Sequence, residues 1–160
     1  MTDAHQRHFW LENRIPPPVL VALTGLAMWA VFRFLPAGRI EGSWLIAVAV
    51  FLAAAGIAIF VLGAQEFRRA KTTINPMNPE QASSVVSGGV YRYTRNPMYV
   101  GFAAILLGWG VYLAAPLAFL CIIAFVIFVT RFQIIPEERA LRLKFGSEYE
   151  AYCSRVRRWL

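Results

Sequence analysis

Residues 98–135 read MYVGFAAILLGWGVYLAAPLAFLCIIAFVIFVTRFQII. They form two apolar runs, about 98–115 and 116–135, with only Ala114, Ala115 and Pro116 at their junction. At 1.5 Å per residue, about 20 apolar residues cross the roughly 30 Å of hydrocarbon in a bilayer, so the second run is long enough and the first is short. Because the junction is so brief, we predict a tight antiparallel hairpin of two membrane-spanning helices.

Two further apolar runs lie upstream, at about 18–35 and 44–64, and both are apolar on all sides. The 160-residue chain is 58% hydrophobic and 16% charged, whereas soluble domains have about 45–50% apolar and about 25% charged residues. These features predict one all-α domain over residues 1–160, a polytopic membrane protein with four transmembrane helices. The first apolar run is too long for a signal-peptide core, so we expect all four spans to remain in the mature protein.

The basic residues predict the orientation. Of the 16 Lys and Arg residues, only Arg33 and Arg39 lie on the side of the membrane opposite to the others. The positive-inside rule therefore places both termini and the loop 65–97 in the cytoplasm. In this arrangement the net charge of +7 favours contact with anionic membrane lipids over nucleic acid.

The tail, residues 136–160, is predicted to form two short cytoplasmic amphipathic helices. Pro136 suits the first turn of one helix, and Gly146 ends it. Ser147 and Glu150 have the spacing of a capping box that would open the second helix. Arg155, Arg157 and Arg158 follow and would contact anionic headgroups.

Two polar clusters flank the hairpin. In the first, residues 91–99, Asn96 and Pro97 suit the cap and first turn of the third span, and a helix start of this kind can also receive a carboxylate. The second cluster follows the fourth span. It contains Arg131, which can simply extend its charge to the interface, together with Gln133, Glu137 and Glu138.

Since the hairpin brings both clusters to one membrane face, we predict a pocket between them, polar toward the cytosol and open to lipid. Its expected lining is Tyr91, Arg95, Asn96, Tyr99, Arg131 and Glu137. Such a pocket suits one water-soluble and one apolar reactant. No metal site is predicted: His5 and His8 have no evident third ligand, and Cys121 and Cys153 lie too far apart to meet. Rossmann and Walker motifs are also missing from the sequence.

The run SGGVYRYTRNPMYVG at residues 87–101, the hairpin, EERAL at 137–141 and FGSEYEAY at 145–152 occur in this order. Together they resemble the isoprenylcysteine carboxyl methyltransferase and phospholipid methyltransferase superfamily of integral membrane enzymes. The resemblance covers about the last half of the chain. It implies methyl transfer from S-adenosylmethionine to a lipophilic small molecule or a lipid headgroup, and it favours a bacterial inner membrane.

Carried over by position, the resemblance implies cofactor contacts from the loop, from the start of the third span and from the glutamate pair. These residues are Ser83, Ser84, Val85, Val86, Tyr91, Asn96, Pro97, Met98, Tyr99, Glu137 and Glu138. The residues expected to act in catalysis are Arg95, Asn96, Arg131 and Glu137, and Arg131 and Gln133 would contact the substrate. Asn96 stands where the prenylcysteine enzymes carry histidine, and Gln133 stands in the place of their substrate-side arginine, which weakens the case for an acidic prenylcysteine substrate.

Several alternatives stay open at this stage. Arg95 or Arg131 can hold a substrate anion, or can order the loop by pairing with Glu137 or Glu138. The acceptor can be a carboxylate, an amine or a thiol, and the oligomeric state is not readable from the sequence. A non-catalytic membrane scaffold that retains the fold is the main alternative function. A transporter is less favoured, because the spans carry no acid or base at mid-membrane.

Overall fold

The computed structural model describes residue 12 and residues 14–35, 41–71 and 82–160. His5, His8 and residues 72–81 of the polar loop lie outside this part of the chain. All regular structure in the described residues is helical. The helices are α1 (Pro17–Phe34), α2 (Trp44–Arg69), α3 (Pro97–Leu113), α4 (Phe119–Val129), α5 (Ile135–Phe145) and α6 (Ser147–Arg155).

Three helical stretches within the described residues are long and apolar enough to cross a membrane: Pro17–Phe34, Trp44–Arg69 and Pro116–Phe145. The fourth apolar helix, α3, is shorter, as the sequence predicted. Large apolar side chains such as Phe51 (71% exposed) cover the outside of these helices. An outward-facing apolar surface of this kind is that of an integral membrane protein.

The predicted hairpin is present. Ala114 ends α3 in the left-handed conformation with φ of 50°, and a short 3-10 turn, Pro116–Ala118, leads into α4. α3 and α4 then pack against each other and against α1. Phe125, Leu106 and Met28, one from each of these helices, are almost fully buried in their shared core.

The predicted helix with Pro136 in its first turn is present as α5, and it is continuous with α4 through a π-helical turn, Thr130–Ile134. Proline lacks the N–H that an α-helix requires, and the wider turn accommodates this loss within a continuous helix. The stretch Pro116–Phe145 has 30 residues, roughly 45 Å at 1.5 Å per residue. This exceeds the hydrocarbon thickness of about 30 Å, and most charged side chains of the stretch lie in α5.

α2 and α3 form the closest helix contact. A Cβ built on Gly101 would lie 2.6 Å from the carbonyl oxygen of Gly56, so the two backbones touch where glycine leaves room. Small residues at such crossings allow close approach of membrane helices. This contact fixes the start of α3, where Met98 and Pro97 pack on Gly63 of α2.

The turn between α5 and α6 depends on Gly146, whose φ of 50° suits glycine. α6 begins at Ser147 without a side-chain capping hydrogen bond, so the predicted capping box does not form. Gly146 occupies the cap position in its place. The turn folds α6 back so that Tyr149 and Tyr152 are buried against Tyr91.

Candidate functional site

A cavity of about 260 Å³ lies where the 82–96 loop, the start of α3, α5 and α6 meet the first turn of α1. Its lining combines polar side chains with apolar ones, several of which belong to the membrane helices. The polar or mixed side chains are Ser84, Tyr91, Arg95, Asn96, Tyr99, Glu137, Glu138, Tyr149 and Tyr152. The apolar lining comes from Pro17, Pro18, Phe60, Phe67, Ala82, Val85, Val86, Met98, Phe102 and Leu141.

The two predicted clusters meet in this lining. The hydroxyl of Tyr99, in the first turn of α3, donates a hydrogen bond of 3.3 Å to Oε1 of Glu137 in α5. Burial raises the pKa of Glu137 to about 8, although the Tyr99 hydrogen bond acts in the opposite direction. The side chain still borders the cavity, so a bound cation would favour its ionised form.

Glu138 faces three arginines. Its Oε1 accepts hydrogen bonds from Arg95 Nη2 at 2.8 Å and Arg158 Nε at 3.0 Å. Its Oε2 accepts from Arg158 Nη2 at 2.8 Å and Arg142 Nη2 at 3.4 Å. Burial opposes ionisation of Glu138, but these hydrogen bonds and positive charges prevail and lower its pKa below the usual range. Glu138 is therefore an ionised carboxylate whose oxygens are taken up by the protein.

Arg95 and Asn96 are also engaged by the protein. Arg95 Nη1 donates to the carbonyl oxygens of Cys153 at 3.1 Å and Val156 at 3.2 Å. Asn96 stands at the cap position of α3, but its side chain makes no capping hydrogen bond there. Its Nδ2 donates instead to the carbonyl oxygen of Arg158 at 2.9 Å. The prediction that Asn96 occupies the cap position of α3 is correct, but the predicted capping hydrogen bond from its side chain is not made.

The aromatic wall of the cavity is built from distant parts of the chain. The hydroxyl of Tyr152 donates a hydrogen bond of 2.8 Å to the carbonyl oxygen of Tyr91. The Tyr91 ring meets Phe67 of α2 edge-on, with 5.5 Å between the ring centroids. Burial raises the pKa of the Tyr91 phenol, so this group stays protonated. Sequence reasoning missed Tyr149, Tyr152 and Phe67 as site residues, because their contacts with Tyr91 join separate parts of the chain; that of Tyr152 spans 61 positions.

Only some residues of the loop before α3 line the cavity. Ser84, Val85 and Val86 line the cavity, and the buried Oγ of Ser84 has no hydrogen-bond partner. Ser83 is exposed and its hydroxyl lies 3.4 Å from the carbonyl oxygen of Lys71, outside the cavity lining. Pro97 is buried against α2 and also does not line the cavity, whereas Met98 does.

Arg131 and Gln133 do not line the cavity, so their predicted place in the pocket is corrected. Arg131 lies 4.0 Å from Glu12, and Gln133 Nε2 donates to the carbonyl oxygen of Ile15 at 2.7 Å. Both residues belong to the π-helical turn, whose extra residue changes their register relative to Glu137. They hold Glu12 and Ile15 against the helix that carries the site. In the described part of the chain, no three His, Cys, Asp or Glu side chains are grouped as metal ligands.

Residues 44–148, more than half of the chain, match the family model described as phospholipid methyltransferase. An uncharacterized protein of Haemophilus influenzae is 46% identical over 63 residues, which cover 39% of this chain and 100% of that protein. A probable protein-S-isoprenylcysteine O-methyltransferase of Oryza sativa subsp. indica is 36% identical over 91 residues, 55% of this chain and 46% of the rice protein. Protein-S-isoprenylcysteine O-methyltransferase B of Arabidopsis thaliana is also 36% identical over 91 residues, 55% of this chain and 45% of the plant protein.

The matched region thus spans less than half of each plant relative. No solved structure matches the chain. The family match covers α2, the loop before α3, the hairpin and α5, which between them supply most of the cavity lining. The chain therefore belongs to the phospholipid methyltransferase family of membrane methyltransferases.

Proposed function

We propose that this protein transfers a methyl group from S-adenosylmethionine to a lipophilic small molecule or lipid headgroup at the cytoplasmic membrane interface. The observation that carries this proposal is one cavity whose lining includes both a polar pair and an apolar pair. Glu137 and Tyr99 are hydrogen-bonded to each other in the part here called the polar end, and Phe60 and Phe102 form an aromatic pair in the part here called the apolar or acceptor end. A water-soluble methyl donor suits the first part and an apolar acceptor suits the second.

The polar end fits S-adenosylmethionine by the chemistry of its groups. The buried Ser84 hydroxyl has no protein partner and is available to a ligand. Glu137 can accept hydrogen bonds from ribose hydroxyls or from the ammonium group, while Val85, Val86 and Tyr91 offer an apolar surface to a base. The start of α3, near Met98, offers backbone amides to a carboxylate. Ser83 and Pro97 lie outside the cavity, and Glu138 is held by arginines, so we assign these three residues no direct contact.

When bound, S-adenosylmethionine supplies a methyl group on a sulfonium cation. Displacement from such a centre depends mainly on alignment of the reactants and on exclusion of water. The protein contributes alignment through Glu137, Tyr99 and Asn96, and it excludes water through the buried aromatic wall. Arg131 takes no part in this proposal because it lies outside the cavity.

The acceptor end points to an apolar molecule that arrives from the bilayer. α1 packs on α3 and α4 but makes little contact with α2, and the cavity lining includes Pro17 of α1 and Phe60 of α2. Among the described lining residues, the sole cation is Arg95, which Glu138 already neutralises. This charge distribution suits an uncharged nucleophile better than an acidic acceptor.

We further propose four membrane crossings with both termini, α5 and α6 on the cytoplasmic side. α3 has 17 residues, roughly 26 Å at 1.5 Å per residue. In this proposal it crosses the membrane as the first helix of the hairpin. The fourteen Lys and Arg residues that share one side favour the cytoplasm for the cavity. A bacterial inner membrane is consistent with this arrangement.

Calorimetry on the detergent-solubilised protein tests the proposal. We expect wild type to bind S-adenosylmethionine and the Glu137→Gln variant to bind it at least tenfold more weakly. Glu148→Gln removes an exposed carboxylate from α6 and is expected to keep the wild-type affinity within twofold. Transfer of labelled methyl from the donor to an isoprenylated cysteine or an aminophospholipid then separates the two acceptor classes. If the folded wild-type protein neither binds S-adenosylmethionine nor transfers a methyl group, the enzyme proposal is wrong and the scaffold alternative is favoured.

A further inference from the structure

Residues 156–160, here called the 156–160 segment, contact the part of the cavity wall that precedes α3. The backbone N–H of Arg95 donates to the carbonyl oxygen of Arg157 at 2.9 Å. The carbonyl oxygen of Arg158 accepts from Thr94 Oγ1 at 3.3 Å and from Asn96 Nδ2 at 2.9 Å. Three successive residues before α3 are thus tied to the backbone of this segment.

Side chains anchor the same segment on its other sides. Arg158 binds Glu138 through two parallel hydrogen bonds, Nε to Oε1 at 3.0 Å and Nη2 to Oε2 at 2.8 Å. The indole Nε1 of Trp159 donates to Oγ1 of Thr130, the first residue of the π-helical turn, at 3.1 Å. Two-pronged arginine–carboxylate pairs fix geometry as well as charge. The segment is therefore held in one position relative to both α3 and α5.

This arrangement changes what Asn96 does. An asparagine at a helix cap normally uses its side-chain oxygen to accept a hydrogen bond from an amide of the first turn. Here the side-chain amide is directed to Arg158, and α3 begins without a side-chain cap. The amides at the start of α3 are consequently left without a side-chain acceptor beside the cavity, where a carboxylate-bearing ligand can use them.

We propose that Glu138 and Arg158 are positioning residues for the donor pocket. By fastening the 156–160 segment to the loop before α3, they keep Asn96 away from the helix start and hold Arg95 in the wall. This inference rests on the proposed function and assigns Glu138 an indirect role in place of the direct contact expected from the sequence. Its side chain is 3% exposed and paired with Arg95 and Arg158, which leaves little of it for a ligand.

The test compares three variants by calorimetry with S-adenosylmethionine and by amide hydrogen exchange of the 91–99 stretch. Arg158→Gln removes the charge, and Arg158→Lys keeps the charge but loses the two-pronged geometry. Arg157→Gln makes the same charge change one residue earlier, at an exposed side chain, and leaves the backbone bond to Arg95 in place. We expect both Arg158 variants to weaken donor binding fivefold or more and to speed exchange at Arg95, with Arg157→Gln within twofold of wild type.

A purely structural role would lower thermal stability without changing the donor Kd. If both Arg158 variants keep the donor Kd within twofold of wild type, the positioning role is wrong even though the proposed function stands. If Arg158→Gln does not fold, Arg158→Lys decides between these outcomes. If wild type binds no donor, the proposed function fails and this inference fails with it. A rise in the acceptor KM at saturating donor, with unchanged donor affinity, would also contradict the proposal, because it would place the effect at the other end of the cavity.

Discussion

The phenolic oxygen of Tyr99 lies 3.3 Å from Oε1 of Glu137 and joins α3 to α5 across 38 positions of the chain. The first of these residues follows a helix start at Asn96 and Pro97, and the second follows a long apolar helix. The tight turn at Ala114 returns the chain toward the start of α3. Hydrogen bonding and burial then place a titrating carboxyl at the polar end of the cavity.

The raised pKa of Glu137 makes a prediction about stability in the ligand-free protein. Its pKa rises from 4.5 to about 8 on folding, so the folded state holds the proton more tightly than the unfolded state. The resulting contribution to stability is complete below about pH 4.5 and is lost as the pH rises through 8. Wild type should therefore lose stability relative to Glu137→Gln over this interval.

We expect Glu137→Gln to unfold within about 1 °C of wild type at pH 5 and several degrees above it at pH 9, since about 1 kcal/mol shifts Tm by roughly 2–4 °C in a chain of this size. Circular dichroism during heating in detergent measures the difference, and Glu148→Gln serves as the matched control. A stability difference between wild type and Glu137→Gln that does not change with pH would show that this carboxyl is already ionised in the ligand-free fold.

The hydrogen bond between Tyr152 and Tyr91 makes a second prediction. Tyr152→Phe leaves the buried carbonyl of Tyr91 without the hydroxyl that lies 2.8 Å away, at an expected cost of about 1–3 kcal/mol in stability. Tyr93→Phe removes a hydroxyl from a side chain that is 77% exposed and should change stability by less than about 0.5 kcal/mol. Thermal unfolding of the two variants side by side measures this, and equal stabilities would show that the Tyr152 hydroxyl is not needed to hold α6.

The hairpin and the meeting of Tyr91, Tyr99 and Glu137 could be predicted because they depend on short-range features. Two apolar runs separated by Ala115 and Pro116 have few ways to fold, and a hairpin necessarily brings its two ends to one membrane face. The position of Asn96 followed from the proline after it. These predictions needed only the length of each run and the known preferences at helix starts.

The errors arose where one residue changes the register or where the contact is distant. Arg131 was expected in the pocket as if the helix were regular, but the π-helical turn before Pro136 directs it toward Glu12. The pairing of Arg158 with Glu138 joins two charged segments that each have several possible partners. Periodicity and charge alone cannot choose among those partners, since the choice depends on how α6 folds back at Gly146.

The contact between Gly56 and Gly101 makes a third prediction. A Cβ on Gly101 would lie 2.6 Å from the Gly56 carbonyl oxygen, so Gly101→Ala must push α2 and α3 apart. Overpacking of this kind costs about 1–3 kcal/mol, and the start of α3 would move with it. Gly25→Ala is the control, because its Cβ would have no neighbour closer than 4.0 Å. Size-exclusion chromatography and heating should show a less stable Gly101→Ala and an unchanged or slightly more stable Gly25→Ala.

The apolar end of the cavity makes the last prediction. Phe102 lies in the wall with its ring centroid 4.9 Å from that of Phe60, so Phe102→Trp should reduce the space for an apolar acceptor without altering Glu137 or Tyr99. Initial rates of methyl transfer should show an acceptor KM at least fivefold higher, while the donor Kd stays within twofold. Phe128→Trp enlarges a side chain that is outside the cavity lining and should change neither constant. If Phe102→Trp instead weakens donor binding and leaves the acceptor KM unchanged, the donor occupies the apolar end and the assignment of the two ends is reversed. The reason is that a bulkier ring at the apolar end excludes only the molecule that binds there.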